Sequence, residues 1–286
     1  LPYVYRLAPV PARPGVVRVL RLGARLRPDA RDLAVVFPHS FRAALLARLT
    51  GAGRRLGYDR DGRGFLLTDA VAPHREDGAI APVYMAREYL ELVAQLGCED
   101  DDQGLELHAP AEEVEAVRKH LAPDRPVAGL APGAAFGPSK RWSAQRYAAV
   151  ADALAERGVQ CLLFTGPNDG EVRDAVLAAA RSPLLEVDEA LPTIARLKAA
   201  VSQVDVLVGN DSGPRHVAIA LGKPVVCIMG PTSPRYTDSP WEKGRVLRVD
   251  VDCGPCQLPE CTTDHRCMTR ISVDEVVAAA LETLPL

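Results

Sequence analysis

Three stretches of this chain combine glycine with charged or hydroxyl-bearing side chains in patterns suited to gripping a phosphorylated ligand. The first runs Ala131-Pro132-Gly133-Ala134-Ala135-Phe136-Gly137-Pro138-Ser139-Lys140-Arg141-Trp142. Gly133 and Gly137 let backbone amides come close to a ligand. Lys140 adds a positive charge, and a helix opening at Ser143 adds the partial positive charge of its N-terminus. The set makes a diphosphate cradle, or an ordinary structural loop. It is not a Walker loop, because the G-x-x-x-x-G-K-[ST] spacing fails. The second stretch, Gly209-Asn210-Asp211-Ser212-Gly213-Pro214-Arg215-His216, starts a helix with Ser212 or Gly213 as N-cap and Pro214 at the first helical position. Free amides there suit phosphate, and Asp211 and Ser212 can orient hydroxyls. His216, in the first turn, faces a ligand or serves the packing. In the third, Thr165-Gly166-Pro167-Asn168-Asp169-Gly170-Glu171, an acid accepts hydrogen bonds from ribose hydroxyls or simply caps the following helix.

These loops need rigid elements behind them. After a linker at 122–126, apolar runs alternate with amphipathic ones: strands at 127–131, 159–165, 204–208, 224–229 and 246–251, and helices at 143–157, 171–181, 193–202, 213–221 and 272–284. Such alternation predicts an α/β domain, a doubly wound parallel sheet with ligands at the carboxyl ends of its strands. Each of the three loops falls at such an end. Before the linker, the reading gives a helix over 16–26, a strand over 33–37, a helix over 41–49, a strand over 54–58 and helices over 84–96 and 111–121. Prolines 2, 9, 11 and 14 argue against a regular start. The expected domains are 1–124 and 125–286.

Four cysteines cluster as Cys253-Gly-Pro-Cys256-x4-Cys261-x3-His265-Arg-Cys267. Zinc, reduced structural thiols and a labile disulfide all fit that spacing. Cys161 and Cys227 lie in apolar strand-like runs, where the thiol acts as a small hydrophobe.

Of 286 residues, 48% are hydrophobic and 25% charged, enough for a substantial core. The net charge of −3 hides an asymmetry: residues 1–64 hold 13 Arg, no Lys and 4 Asp. An Arg-rich surface suits phosphorylated ligands, and a high-GC gene that prefers Arg gives the same count. The mildly acidic whole argues against nucleic acid. No run approaches the roughly 18 apolar residues of a membrane span, and the first residues lack a signal peptide's layout. A cytoplasmic protein at a membrane surface is expected, as a monomer.

The joint pattern P-G-A-x-F-G-P-x-K-R-W, N-D-S-G-x-x-H and Gly230-Pro-Thr-Ser-Pro234 resembles glycosyltransferase family nine, the ADP-heptose:lipopolysaccharide heptosyltransferases. Phe37-Pro38-His39-Ser40-Phe41-Arg42 and Tyr84-Met85-Ala86-Arg87-Glu88-Tyr89 resemble further family stretches. The resemblance implies a GT-B architecture of two doubly wound domains. It implies an inverting transfer of heptose from ADP-heptose to a Kdo-bearing lipid A inner core, with no required cofactor. Lys140, Gly133, Ser212 and Gly213 would hold the donor phosphates. Asp211, His216, Asp169 and Glu171 would serve the sugar and nucleoside. Arg42, Arg54 and Arg55 are the acceptor-side candidates. The family's base is an Asp in a strand–G-D turn; no such turn is legible before Leu33, so the N-terminal domain reads as incomplete and the base is unassigned. Arg215 stands where the family commonly has an apolar residue. Competing expectations are a nucleotide-sugar-binding homologue without transferase activity, a family member using another nucleotide sugar, and a protein whose cysteines hold zinc for a partner.

Overall fold

A computed structural model describes residues 16–27, 32–186 and 193–284. Contacts divide the chain into two compact units, residues 1–100 and 101–286. The linker read at 122–126 therefore lies within the second unit, which also includes the helix that precedes it.

The first unit is a small parallel sheet with helices on both faces. Helix α1 (Val16–Leu26) leads to β1 (Leu33–Val36), α2 (Phe41–Leu49), β2 (Arg54–Tyr58) and β3 (Asp69–Val71). The strands lie in the order β1-β2-β3, all parallel, with Val35 opposite Leu56 and Gly57 opposite Ala70. Ser40 caps α2 by accepting from the Ala43 amide, a bond that satisfies one of the free N–H groups of the first turn. Val36, Ala44, Ala47, Leu66 and Leu67 form the core on the α2 side. A hairpin of β4 (Arg75–Glu76) and β5 (Ala79–Ile80) then leads to α3 (Met85–Ala94), whose Leu92 packs with Leu56 and Tyr58 on the other face.

The second unit is built on six strands: β6 (Val127–Ala131), β7 (Gln160–Leu163), β8 (Leu185–Glu186), β9 (Val206–Asn210), β10 (Val225–Met229) and β11 (Gly244–Arg248). They are all parallel, in the order β11-β10-β9-β6-β7-β8. The chain winds outward from β6 to β8, returns to the other side of β6, and winds outward again. That reversal places a crevice between the carboxyl ends of β6 and β9.

Alternate residues of the strands feed two cores, as a period of two requires. Ala128, Leu130, Val206, Val208, Val226 and Ile228 pack beneath α5 (Ala144–Ala155), α6 (Gly170–Ala179) and α10 (Val273–Leu281). Val127, Ala131, Leu207, Val225, Cys227 and Met229 pack beneath α4 (Ala111–Arg118), α7 (Ile194–Ser202) and α8 (Gly213–Ala220). A one-turn helix, α9 (Arg266–Thr269), precedes α10, and Ser272 and Glu275 form a reciprocal capping box at α10's start.

Candidate functional site

The loops after β6 and β9 are stapled together by Asn210. Its Oδ1 accepts from the Trp142 amide at 3.2 Å and the Tyr147 hydroxyl at 3.0 Å, and its Nδ2 donates to the Pro132 carbonyl at 2.7 Å. Across this join, Lys140 Nζ donates to Asp211 Oδ2 at 2.7 Å and to the Asp211 carbonyl at 3.0 Å. Both side chains are largely buried, 12% and 2% exposed. Burial alone would push the Asp211 carboxyl up. The charges of Lys140 and Arg215 and a hydrogen bond from Thr232 outweigh it and hold the group at about 2. Lys140 also lies 5.1 Å from the centre of the Phe136 ring.

A second loop grips the lysine's own. Ser139 N donates to the Pro259 carbonyl at 3.0 Å, Ser139 Oγ to the Leu258 carbonyl at 2.6 Å, and His265 Nε2 lies 2.6 Å from the Ser139 carbonyl. Gly137 has φ +154°, and a Cβ there would meet Pro259 O at 2.3 Å. The backbone thus needs glycine for a protein contact. Gly133 likewise makes room for Asp169, whose Oδ2 would lie 2.1 Å from an added Cβ.

Beside the ion pair opens a cavity of about 320 Å³, walled by Gly133, Asp169, Thr193, Leu197, Ser212 and Gly213 among others. Its volume suits a nucleoside-sized ligand. At its edge α8 begins with Ser212 in the N-cap position; the Ser212 hydroxyl is buried and has no hydrogen-bond partner among the described residues. A helix start with an idle hydroxyl is an anion site in waiting. Asp169 Oδ2 accepts from the Gly166 amide at 3.0 Å, and Arg141 lies 3.4 Å from its other oxygen. Asp169 sits at the N-cap of α6 without a side-chain capping bond, so the simple capping alternative does not describe it. Ile194, 71% exposed, adds an apolar wall from α7 that no motif marked. His216 is half-buried, and burial first, with Arg215 second, lowers its basicity. Glu171 is exposed in the first turn of α6 and is not among the residues lining this cavity.

In the first unit the acceptor-side candidates divide. Arg55 is buried and donates to the carbonyls of Leu66 at 2.8 Å and Ala52 at 2.6 Å. Arg54 pairs with Asp69 at 3.0 Å. Both begin β2, at the edge opposite the strands' carboxyl ends; an Arg-Arg pair in sequence carries no label of which strand end it occupies. Arg42 is exposed in the first turn of α2. The carboxyl edge instead gathers His39, Arg60 and Glu88. Arg60 Nη1 lies 3.1 Å from His39 Nδ1 and 3.2 Å from Glu88 Oε1, and His39 Nε2 lies 3.2 Å from Glu88 Oε2. Burial, then Arg60 and Arg63, lowers His39 to about 4, while burial raises Glu88. The stretch before Leu33, in which no G-D turn is legible, lies outside the described residues at 1–15 and 28–31.

The cysteine cluster bears on the three alternatives that its spacing left open. Cys253, Cys256, Cys261, Cys267 and His265 line a small cavity of about 40 Å³. Yet among the described residues no three His, Cys, Asp or Glu side chains come together as a metal site. The described thiols are free, and His265 is engaged with Ser139. The segment is a brace for the Lys140 loop. Among the described residues no helix is long and apolar enough to cross a membrane.

Comparison with known proteins agrees with this geometry. Glycosyltransferase family 9 (heptosyltransferase) matches residues 19–266. Lipopolysaccharide heptosyltransferase 2 of Escherichia coli (strain K12) is 32% identical over 271 residues, 87% of this chain and 75% of that protein. Lipooligosaccharide heptosyltransferase 2 of Haemophilus influenzae (strain ATCC 51907 / DSM 11121 / KW20 / Rd) is 31% identical over 240 residues, 80% of this chain and 68% of that protein. The solved E. coli ADP-heptose lps heptosyltransferase II superposes with a TM-score of 0.75 at 28% identity, covering 94% of this chain and 81% of that one.

Proposed function

Because the chain belongs to glycosyltransferase family 9, the heptosyltransferases, we propose that it is an inverting transferase that moves heptose from ADP-heptose to the Kdo/heptose inner core of lipopolysaccharide. Its two parallel-sheet units correspond to the halves of a GT-B enzyme. The unit from residue 101 takes the nucleotide sugar and the unit up to residue 100 takes the acceptor, a division placed earlier in the chain than the 124/125 boundary read from the sequence. The observation that carries the donor assignment is the Lys140–Asp211 pair at the switch point, beside a cavity edged by the start of α8 and the unpartnered Ser212 hydroxyl.

The chemistry follows from that placement. The acceptor hydroxyl gives its proton to a general base, to which no residue is assigned, as its oxygen forms a bond to the anomeric carbon and the bond from that carbon to the β-phosphate oxygen breaks, which inverts the centre. Negative charge grows on the departing ADP. On this reading Lys140, paired with Asp211 in the structure, and the amides at Ser212 and Gly213 meet that charge, the kind of preorganised stabilisation that dominates such steps. Gly133 lets the backbone of the β6 loop approach the diphosphate, Asp169 receives the ribose, and His216, held neutral, serves the heptose side as a hydrogen-bonding group. Ile194 and Leu197 cover the base. At the acceptor, Arg42 stands at the carboxyl edge of β1, and Arg60, steadied by Glu88, joins it in place of Arg54 and Arg55. An amphiphilic acceptor brings the protein to the inner face of the inner membrane as a peripheral protein.

Calorimetry with ADP and UDP tests the donor assignment. ADP should bind selectively, and Lys140→Ala should weaken it about 10- to 100-fold, the worth of one charge-assisted hydrogen bond of about 1.5–3 kcal/mol. Equal binding of ADP by the variant would remove Lys140 from the site. Transfer of radiolabelled heptose to a Kdo-lipid acceptor tests the reaction itself.

A further inference from the structure

Arg215 is the residue that departs from the apolar character common at its place in the motif, and the structure gives it an occupation. It lies in the first turn of α8, wholly excluded from solvent. Its Nε and Nη2 donate to the two oxygens of Glu242 at 2.8 and 2.5 Å, while Nη1 donates to Asp211 Oδ1 at 2.8 Å and Thr237 Oγ1 at 3.1 Å. The more exposed Asp238 lies 3.8 Å from Nη2. One planar group therefore joins the loop after β9, the loop after β10 and the segment leading to β11.

Burying a guanidinium is expensive, and a fully paired one does not by itself raise stability over apolar packing. Its position suggests another use. Asp211 offers Oδ1 to Arg215 and Oδ2 to Lys140 and Thr232, so each oxygen is claimed separately. Two buried carboxylates, Asp211 and Glu242, face two cations, Arg215 and Lys140. Remove Arg215 and both carboxylates remain, with Lys140 as the nearest counter-charge to Asp211. The lysine would be drawn toward the protein, and a diphosphate would meet a net negative site.

We infer that Arg215, clamped by Glu242, is a positioning residue of the donor site: it fixes and neutralises Asp211 so that Asp211 aims Lys140 at the diphosphate without capturing it. The inference rests on the reading of Lys140 as a diphosphate ligand.

The test compares the whole wild-type chain with Arg215→Leu, the double variant Arg215→Leu/Glu242→Leu, and Arg215→Lys, by urea unfolding and by ADP calorimetry across pH. Arg215→Leu should lose both stability and affinity, because Glu242 is left buried and unpaired. The double variant removes both charges and should regain most of the stability, yet bind ADP at least tenfold more weakly. The acid limit of its ADP binding should also move to higher pH, since Asp211 has lost a cation. Arg215→Lys keeps the charge without the planar fork and should recover part of the affinity. A double variant that binds ADP like wild type, with the same acid limit, would show a purely structural clamp and overturn the inference. Should the double variant not fold, wild-type affinity in Arg215→Lys and Thr237→Val together overturns it. A wild-type chain that binds no ADP sinks the donor reading itself and this inference with it, a result visible before any variant is titrated.

Discussion

At Asp211 a single carboxylate receives Lys140, Arg215 and Thr232, and its titration has a measurable consequence. The group sits at about 2 when folded, against an ordinary value of 3.8. The folded protein therefore binds this proton less readily than the unfolded chain. The resulting stabilisation is complete above about pH 4 and disappears as pH falls toward 2. Asp211→Asn should cost about 2–3 kcal/mol at pH 7, and the deficit against wild type should shrink in urea titrations near pH 2.5. An undiminished deficit at that pH would mean that the charge is not what the network uses. Gly137 supports a second prediction. Alanine there needs both a φ of +154° and displacement of the Pro259 carbonyl, so Gly137→Ala should lose at least about 1 kcal/mol and weaken ADP binding through the shifted Lys140. Unchanged affinity would separate the loop from the site. The sequence marked Gly133 and Gly137 as important and gave the reason as close approach of a ligand. The geometry adds that their missing side chains accommodate Asp169 and Pro259. Which neighbour a glycine makes room for is a tertiary fact, invisible in the local pattern.

Among the elements, those with a strong period were legible. The helices read over 41–49, 143–157 and 272–284 form over 41–49, 144–155 and 273–281, and all five longer strands of the second unit form, those read at 204–208 and 246–251 running instead over 206–210 and 244–248. The short edge strands at 69–71 and 185–186 were not, because two or three residues do not make a period. Helix α3 shows a different limit. Its inward face carries Glu88 and Leu92, and a pattern that counts Glu as polar assigns that face to Tyr89, Leu90, Val93 and Leu96. The charged residue is buried because Arg60 and His39 meet it from two other elements. For the candidate site, the two phosphate loops were legible through glycine, proline and lysine spacing. Thr193, Ile194 and Glu242 were not, since each joins the site only through the winding of the sheet. A prediction at this scale concerns Asp152 of α5, which accepts from the amides of Arg181 and Ser182 and from Arg181 Nε. It anchors the chain leaving α6. Asp152→Ala strands two amides and should cost about 1–3 kcal/mol in urea unfolding, with ADP affinity unaltered because the contact lies away from the crevice. A neutral substitution would mean that water replaces the carboxylate.

Across the molecule, charge and chemistry are unevenly divided. The first 64 residues carry 13 Arg, of which Arg55 and Arg63 are built into the interior, while Arg18, Arg21, Arg25, Arg42 and Arg54 are exposed. A phosphorylated acceptor drawn by exposed charge is screened by salt over about 8 Å at physiological ionic strength. The acceptor KM should therefore climb several-fold between low and 0.3 M salt, with the ADP-heptose KM moving less because Lys140 and Asp211 are buried. Parallel shifts in both would place the Arg-rich surface outside acceptor recognition. Trp142 gives the second unit a built-in optical reporter. The indole is 2% exposed, donates to the Ile271 carbonyl at 3.1 Å and meets Tyr147 edge-on, while its own amide is held by Asn210. With two tryptophans in the chain, Trp241→Phe leaves an emission spectrum that belongs to the residue beside Lys140. Its shift to longer wavelength as water reaches the ring would time the dismantling of the crevice, with no label attached and no substrate present.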